Sequence, residues 1–129
     1  MKKLIALLTT GLLAATVVYA GEFPDISIAE LKKAIADKKV VVIDVNGSNS
    51  YKNGHIPGAV DFGTSKGKLA KLLPEDKNAL VVAYCGGPSC SAYQSAAKEA
   101  EKLGYKNVKH LSAGISGWLQ AGEKTEKAN

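Results

Sequence analysis

Two thiols, Cys85 and Cys90, bracket the segment Cys85-Gly-Gly-Pro-Ser-Cys90-Ser91 and are the residues best suited to covalent chemistry. Cysteine attacks as its thiolate, and a thiolate is favoured where unpaired N–H groups and the positive end of a helix face the sulfur. A helical pattern begins just after the segment, so Cys85 is expected at a loop that curls into a helix N-terminus. Gly86 and Gly87 are expected to adopt positive φ and turn their amides toward a bound charge. Cys85 is thus the candidate nucleophile. Gly86, Gly87, Pro88, Ser89, Cys90 and Ser91 form the candidate substrate-binding loop, whose amides would steady a negatively charged adduct. Beside this stands the plain alternative that Cys85 is a small buried hydrophobe.

The flanking elements decide how the loop is held. Residues 79–84 are short, apolar and β-branched at Val81 and Val82, the mark of a buried strand, whereas Ala92, Ala96, Ala97, Ala100 and Leu103 recur at helical spacing. Upstream, Ile28, Leu31, Ala34 and Ile35 make an apolar helix face. Ser27 or Asp25 is its cap, and Glu30 completes a possible capping box with Ser27. Val40 to Val45 reads as a second strand, apolar on both faces. Residues 47–57 are expected to be a loop, 59–61 a short edge strand, 66–73 a helix ended by Pro74, 108–111 a further strand, and 115–121 a last short helix. Strands alternating with helices predict an α/β fold with a mainly parallel sheet flanked by helices. Ligands of such sheets lie beyond the carboxyl ends of the strands, where Asp44 and Cys85 both fall.

Residues 1–20 carry Lys2 and Lys3, an apolar run from Leu4 to Val18, and Val18-Tyr19-Ala20 before Gly21. This three-part layout predicts a secretory signal peptide cut after Ala20, hence a periplasmic or secreted product without stable membrane association. The remaining 21–129 form one domain of ordinary size. Of the 17 basic and 12 acidic residues, two basic ones lie in the leader, leaving 15 − 12 = +3. That mild charge suits small anionic substrates and does not argue for nucleic acid. The end, residues 123–129, is expected to be solvated and frayed.

Several segments, in order along the chain, carry a family resemblance. They are Val42-Ile43-Asp44-Val45, Tyr51-Lys-Asn-Gly-His-Ile-Pro-Gly-Ala59, Tyr84-Cys85 with its loop, Ala96-Ala97, Leu103-Gly104-Tyr105, Asn107-Val108, and Ala113-Gly114 with Trp118. With these the chain resembles the single-domain rhodanese-like sulfurtransferases. The resemblance implies a rhodanese-like three-layer sandwich and a two-step reaction. Cys85 takes the outer sulfur of thiosulfate, a persulfide or a polysulfide, and a thiol or cyanide then removes it from the Cys85 persulfide. Neither a metal nor an organic cofactor is implied. The short loop matches sulfur-handling members, against the longer loop of related phosphatases.

The chain also departs from the family. Asn46 and Ser50 stand where members commonly carry Arg and Glu, and Cys90 stands where many have Arg or another polar residue. The loop therefore offers no cation to a sulfonate group, which points to a per- or polysulfide donor. Cys90 itself has three readings: an inert loop residue, a resolving thiol that attacks the Cys85 persulfide, or a redox lock on Cys85. Inward amides direct side chains outward, so direct Cys85–Cys90 pairing is the less favoured expectation. His55 and His110 read as structural anchors, with no metal motif between them. Asp44 is read as a supporting residue that caps the turn beneath the site. Tyr51 and Trp118 read as packing residues with a polar handle. Lys52 and Lys109 add only diffuse charge, and Ser89 and Ser91 are candidates to bond the adduct. Besides a sulfurtransferase, a thiol–disulfide redox protein using Cys85 and Cys90 and a non-catalytic binding module of the same fold remain open.

Overall fold

Four strands align in parallel because each is a short β-rich run whose return path is helical. A computed structural model describes residues 23–129, so the expected signal peptide at 1–20 lies outside the described residues. The strands are β1 (Val40–Asp44), β2 (Val60–Asp61), β3 (Leu80–Tyr84) and β4 (Asn107–His110), in sheet order β2-β1-β3-β4. The register pairs Asp44 with both Tyr84 and Asp61, and Ala83 with His110. The carboxyl ends of all four strands therefore finish along one edge, and Cys85 is the first residue beyond the end of β3. Among the described residues no helix is long and apolar enough to cross a membrane.

Strand alternation sends odd and even side chains into separate cores, which makes the three layers. Ile43, Val81, Ala83 and Cys85 pack with Phe62, Leu69 and the helix α5 (Tyr93–Lys102). Val42, Val82 and Tyr84 pack on the opposite face with Leu31 of α1 (Ile28–Ala36) and Trp118 of α6 (Gly114–Gln120). Full burial of one such aliphatic side chain contributes about 1.5–3 kcal/mol. The buried face of α5 is Tyr93, Ala96, Ala97 and Ala100, and its alanines let the helix axis lie close to the sheet. The helix stops at Gly104, whose φ of 97° turns the chain while the Tyr105 amide donates to the Ala100 carbonyl at 3.2 Å.

Ser27 caps α1 by accepting from the Glu30 amide, and its hydroxyl donates to the Glu30 carboxylate. Three segments differ from expectation. A short helix, α2 (Ser48–Asn53), occupies part of the predicted 47–57 loop, because Gly47 at φ 89° breaks from β1 and leaves six residues free to coil. Of the predicted helix at 66–73 only the single turn α4 (Leu69–Leu72) forms; a separate turn, α3 (Phe62–Ser65), precedes the predicted span, and Gly67 at φ 78° divides the two. The C-terminal segment is held, not frayed. The His55 and Glu126 backbones exchange two hydrogen bonds of 2.9 Å, the Ala128 amide donates to Lys52, and Trp118 Nε1 donates to the Lys124 carbonyl. Its polar composition suggested a solvated end, but the backbone pairing that holds it does not depend on side-chain type.

Candidate active site

Cys85 leaves β3 directly into a loop clamped from below by α6. The Ile115 amide donates to the Cys85 carbonyl at 2.9 Å and the Ser116 amide to the Gly86 carbonyl at 3.0 Å. Two orphan donors of the α6 N-terminus are thereby satisfied by the loop itself. Gly114 makes this approach possible. It has φ 62°, and a Cβ there would sit 2.6 Å from the Gly86 carbonyl carbon and the Gly87 nitrogen. The sequence already held a signal for this role in the Ala113-Gly114 pair before a helix, although the resemblance alone gave it no job.

The loop then folds back on itself. The Cys90 amide donates to the Gly87 carbonyl at 3.1 Å, and Cys85 and Cys90 are joined by a disulfide with their Cα atoms 6.3 Å apart. This corrects the expectation that Cys90 would point away. Gly86 and Gly87 are not among the positive-φ residues, so the loop turns without the left-handed glycines expected of it. One of its amides is spent on an internal turn, and that turn carries the Cys90 side chain back to Cys85. Cys85 is 1% exposed, while Cys90 is only half-buried. The helix whose N-terminal amides bond the Cys85 loop is α6, not the expected α5. The first residue of α5 is Tyr93, with Ala92 as an N-cap that offers no side-chain hydrogen bond, so Ser91 does not cap it. Pro88, Ser89 and Ser91 are exposed, and the Ser91 carbonyl accepts from the Gln94 amide.

Beneath the loop, Asp44 is fully buried and tied on both oxygens. It accepts from the Asn46 amide at 2.8 Å and from the Tyr84 hydroxyl at 2.5 Å, and that hydroxyl accepts from the Ile56 amide at 3.0 Å. Burial pushes the Asp44 carboxyl above its ordinary value, against the opposing pull of the Tyr84 and Asn46 hydrogen bonds. Burial, reinforced by Asp44, raises Tyr84 far beyond the tyrosine range and keeps it a donor. The chain of bonds fixes the ends of β1 and β3 and the turn at residue 56. It positions Cys85 and does not touch it.

His55 belongs to this frame as well. Its Nδ1 donates to the Tyr51 carbonyl at 2.7 Å, its ring stacks on Tyr51 with centroids 3.8 Å apart, and its Nε2 lies 3.7 Å from the Glu126 carboxylate. Tyr51 in turn donates to the Ala59 carbonyl at 2.6 Å.

His110 is more informative than its sequence setting suggested. It is 7% exposed, stacks on Tyr93 with ring centroids 3.4 Å apart, and its buried Nε2 has no hydrogen-bond partner. Burial lowers its pKa from the usual histidine value, with Asp25 opposing. His110 and Cys90 both line a cavity of about 300 Å³. A larger cavity of about 530 Å³, lined by Lys38, Ala79 and Asn107, sits at the amino ends of the strands, the wrong edge for Cys85 chemistry. No lysine lines the cavity at Cys90, and all 17 basic residues of the chain are lysines. The absence of arginine was visible in the composition. It removes the planar, bidentate group best fitted to a sulfonate.

A family model described as Rhodanese-like domain matches residues 27–121. The chain is 32% identical over 109 residues to the thiosulfate sulfurtransferase GlpE of Pseudoalteromonas translucida, an alignment covering 81% of this chain and 98% of that protein. It is also 30% identical over 101 residues to the tRNA uridine(34) hydroxylase of Buchnera aphidicola subsp. Schizaphis graminum, covering 74% of this chain but 31% of that protein. Among solved structures, the BH2092 protein of Bacillus halodurans superimposes with a TM-score of 0.70 at 30% identity, covering 81% of this chain and 77% of the other. The thiosulfate sulfurtransferase of Pseudomonas aeruginosa gives 0.68 at 29%, covering 83% and 20%.

Proposed function

The chain belongs to the rhodanese-like family, and from that premise we propose that it is a sulfurtransferase working through a persulfide on Cys85. The observation that carries the proposal is the position of Cys85 directly after β3, at the carboxyl edge of a parallel sheet, with its carbonyl held by α6. Once the Cys85–Cys90 bond is reduced, the Cys85 thiolate attacks the outer sulfur of the donor. The donor's S–S bond breaks, and sulfite or a shorter thiol leaves. A thiol or cyanide then attacks the terminal sulfur and returns Cys85 as thiolate. The reaction calls on no metal and no organic cofactor.

The missing arginine and the lysine-free cavity favour a persulfide or polysulfide donor over thiosulfate. The layout of residues 1–20 supports export to the periplasm or beyond the cell, compartments in which such a disulfide persists. Steady-state transfer to cyanide by the reduced protein tests the proposal. We expect higher kcat/KM with polysulfide than with thiosulfate, and no transfer in Cys85→Ser. Undiminished transfer by Cys85→Ser rules the proposal out.

The disulfide itself favours a second reading, a thiol–disulfide redox protein. In that case Cys90→Ser loses all turnover, whereas sulfur transfer to cyanide needs Cys85 alone.

A further inference from the structure

The persulfide cycle gives no part to Cys90 or to the unpaired Nε2 of His110, and both residues border the lysine-free cavity. Loop residues Pro88, Ser89 and Ser91 also line it, as do Tyr93 and Gln94, whereas Cys85 is not among its lining residues and is almost wholly buried. Of the two bonded sulfurs, the one on the cavity side is that of Cys90.

We propose that Cys90 is a resolving thiol that discharges the Cys85 persulfide as hydrosulfide, and that a reducing dithiol docked in the His110 cavity restores the pair by attacking Cys90. The inference rests on the persulfide reading and adds a second activity to it, the reduction of sulfane sulfur. Cys90 thiolate attacks Sγ of Cys85, the bond from that Sγ to the terminal sulfur breaks, and HS⁻ leaves. The sulfane sulfur gains two electrons, and the two cysteines lose them as their disulfide forms. The turn that carries Cys90 back already holds the Cα atoms 6.3 Å apart, within the ordinary span of a disulfide. No loop rearrangement beyond this structure is required.

For recharging, one thiolate of the dithiol attacks Cys90 Sγ and Cys85 departs as thiolate. The second thiol of the partner then attacks its own bonded sulfur, leaving Cys90 free and the partner oxidised. His110 walls that cavity, and its Nε2, shut off from solvent and unpaired here, becomes a proton acceptor for the incoming thiol once docking uncovers it. Burial holds that imidazole in its neutral form, the form able to accept.

The test starts from reduced mature protein mixed with one equivalent of glutathione persulfide and no added reductant, followed by sulfide release and intact mass. Wild type should release hydrosulfide and end as the disulfide. Cys90→Ser should hold one extra sulfur atom and release sulfide at least about tenfold more slowly, the signature of a lost intramolecular thiol. If wild type keeps its persulfide as long as Cys90→Ser does, the resolving step is wrong while the persulfide reading stands. If neither protein takes up sulfur, the persulfide reading fails and this inference with it. The docking route is tested on the oxidised protein with glutathione, quenched in acid and mapped by fragmentation. Glutathione on Cys90 supports entry through the cavity, and glutathione on Cys85 overturns it.

Discussion

Tyr84 shows how much of the site depends on a residue that never meets substrate. Its hydroxyl joins the Ile56 amide to the Asp44 carboxylate inside the protein. Tyr84→Phe leaves both groups buried without that partner, so we expect a loss of about 1–3 kcal/mol in urea unfolding, the usual cost of an unsatisfied buried group. His110 gives a prediction about pH. Its folded pKa is below the unfolded value of 6.5, so the unfolded chain binds more protons in that window. The stability tied to its neutral ring is complete above pH 6.5 and is lost as pH falls through the folded pKa. Urea midpoints measured from pH 7.5 downward should fall for wild type, and more gently for His110→Gln. At this scale the sequence was only half legible. The position of Cys85 at the end of β3 and the anchoring part of His55 follow from residue type and neighbours. The facing of Cys90 and the orphaned ring of His110 depend on a turn and a stacking contact that no spacing encodes.

Among the elements, α6 holds two carbonyls of the loop despite its length of seven residues. Gly114→Ala combines a positive φ with contacts of 2.6–2.7 Å to the backbone of residues 85–87, so the loop must move away from the helix. We expect it to cost about 1–3 kcal/mol, as strained backbone positions do, and to reduce sulfur transfer by more than this loss of folded protein explains. Urea unfolding and kcat/KM measured on the same sample separate the two effects. The main elements were legible because their apolar periods are clean: α1, β1, β3 and α5 lie within two residues of their sequence patterns. The missed helix α2 is short and has no buried residue, so it carries no apolar period to read. The break between α3 and α4 turns on a single glycine conformation.

Across the whole molecule, the parallel register brings Asp44, Asp61, Tyr84 and Cys85 to one edge, and the C-terminal segment straps the His55 turn. Deleting residues 124–129 removes the His55–Glu126 backbone pair, the Lys52–Ala128 bond and the acceptor of Trp118 Nε1. Urea unfolding should show a loss of about 2–6 kcal/mol, four hydrogen bonds at roughly 0.5–1.5 kcal/mol each, and Trp118 fluorescence should shift. Sulfur loading at Cys85 should survive in the protein that remains folded. The fold class was legible from strand and helix alternation, but the strap was not, because backbone pairing at a polar terminus leaves no pattern of side chains. The central claim is that Cys85 carries transferable sulfur. Its most direct measurement isolates Cys90→Ser after exposure to a persulfide donor, removes the donor, and adds cyanide. The account predicts thiocyanate in proportion to the sulfur bound on Cys85 and none from the Cys85→Ser, Cys90→Ser double variant. Equal thiocyanate from both proteins, or a Cys85 adduct that cyanide cannot remove, would contradict it.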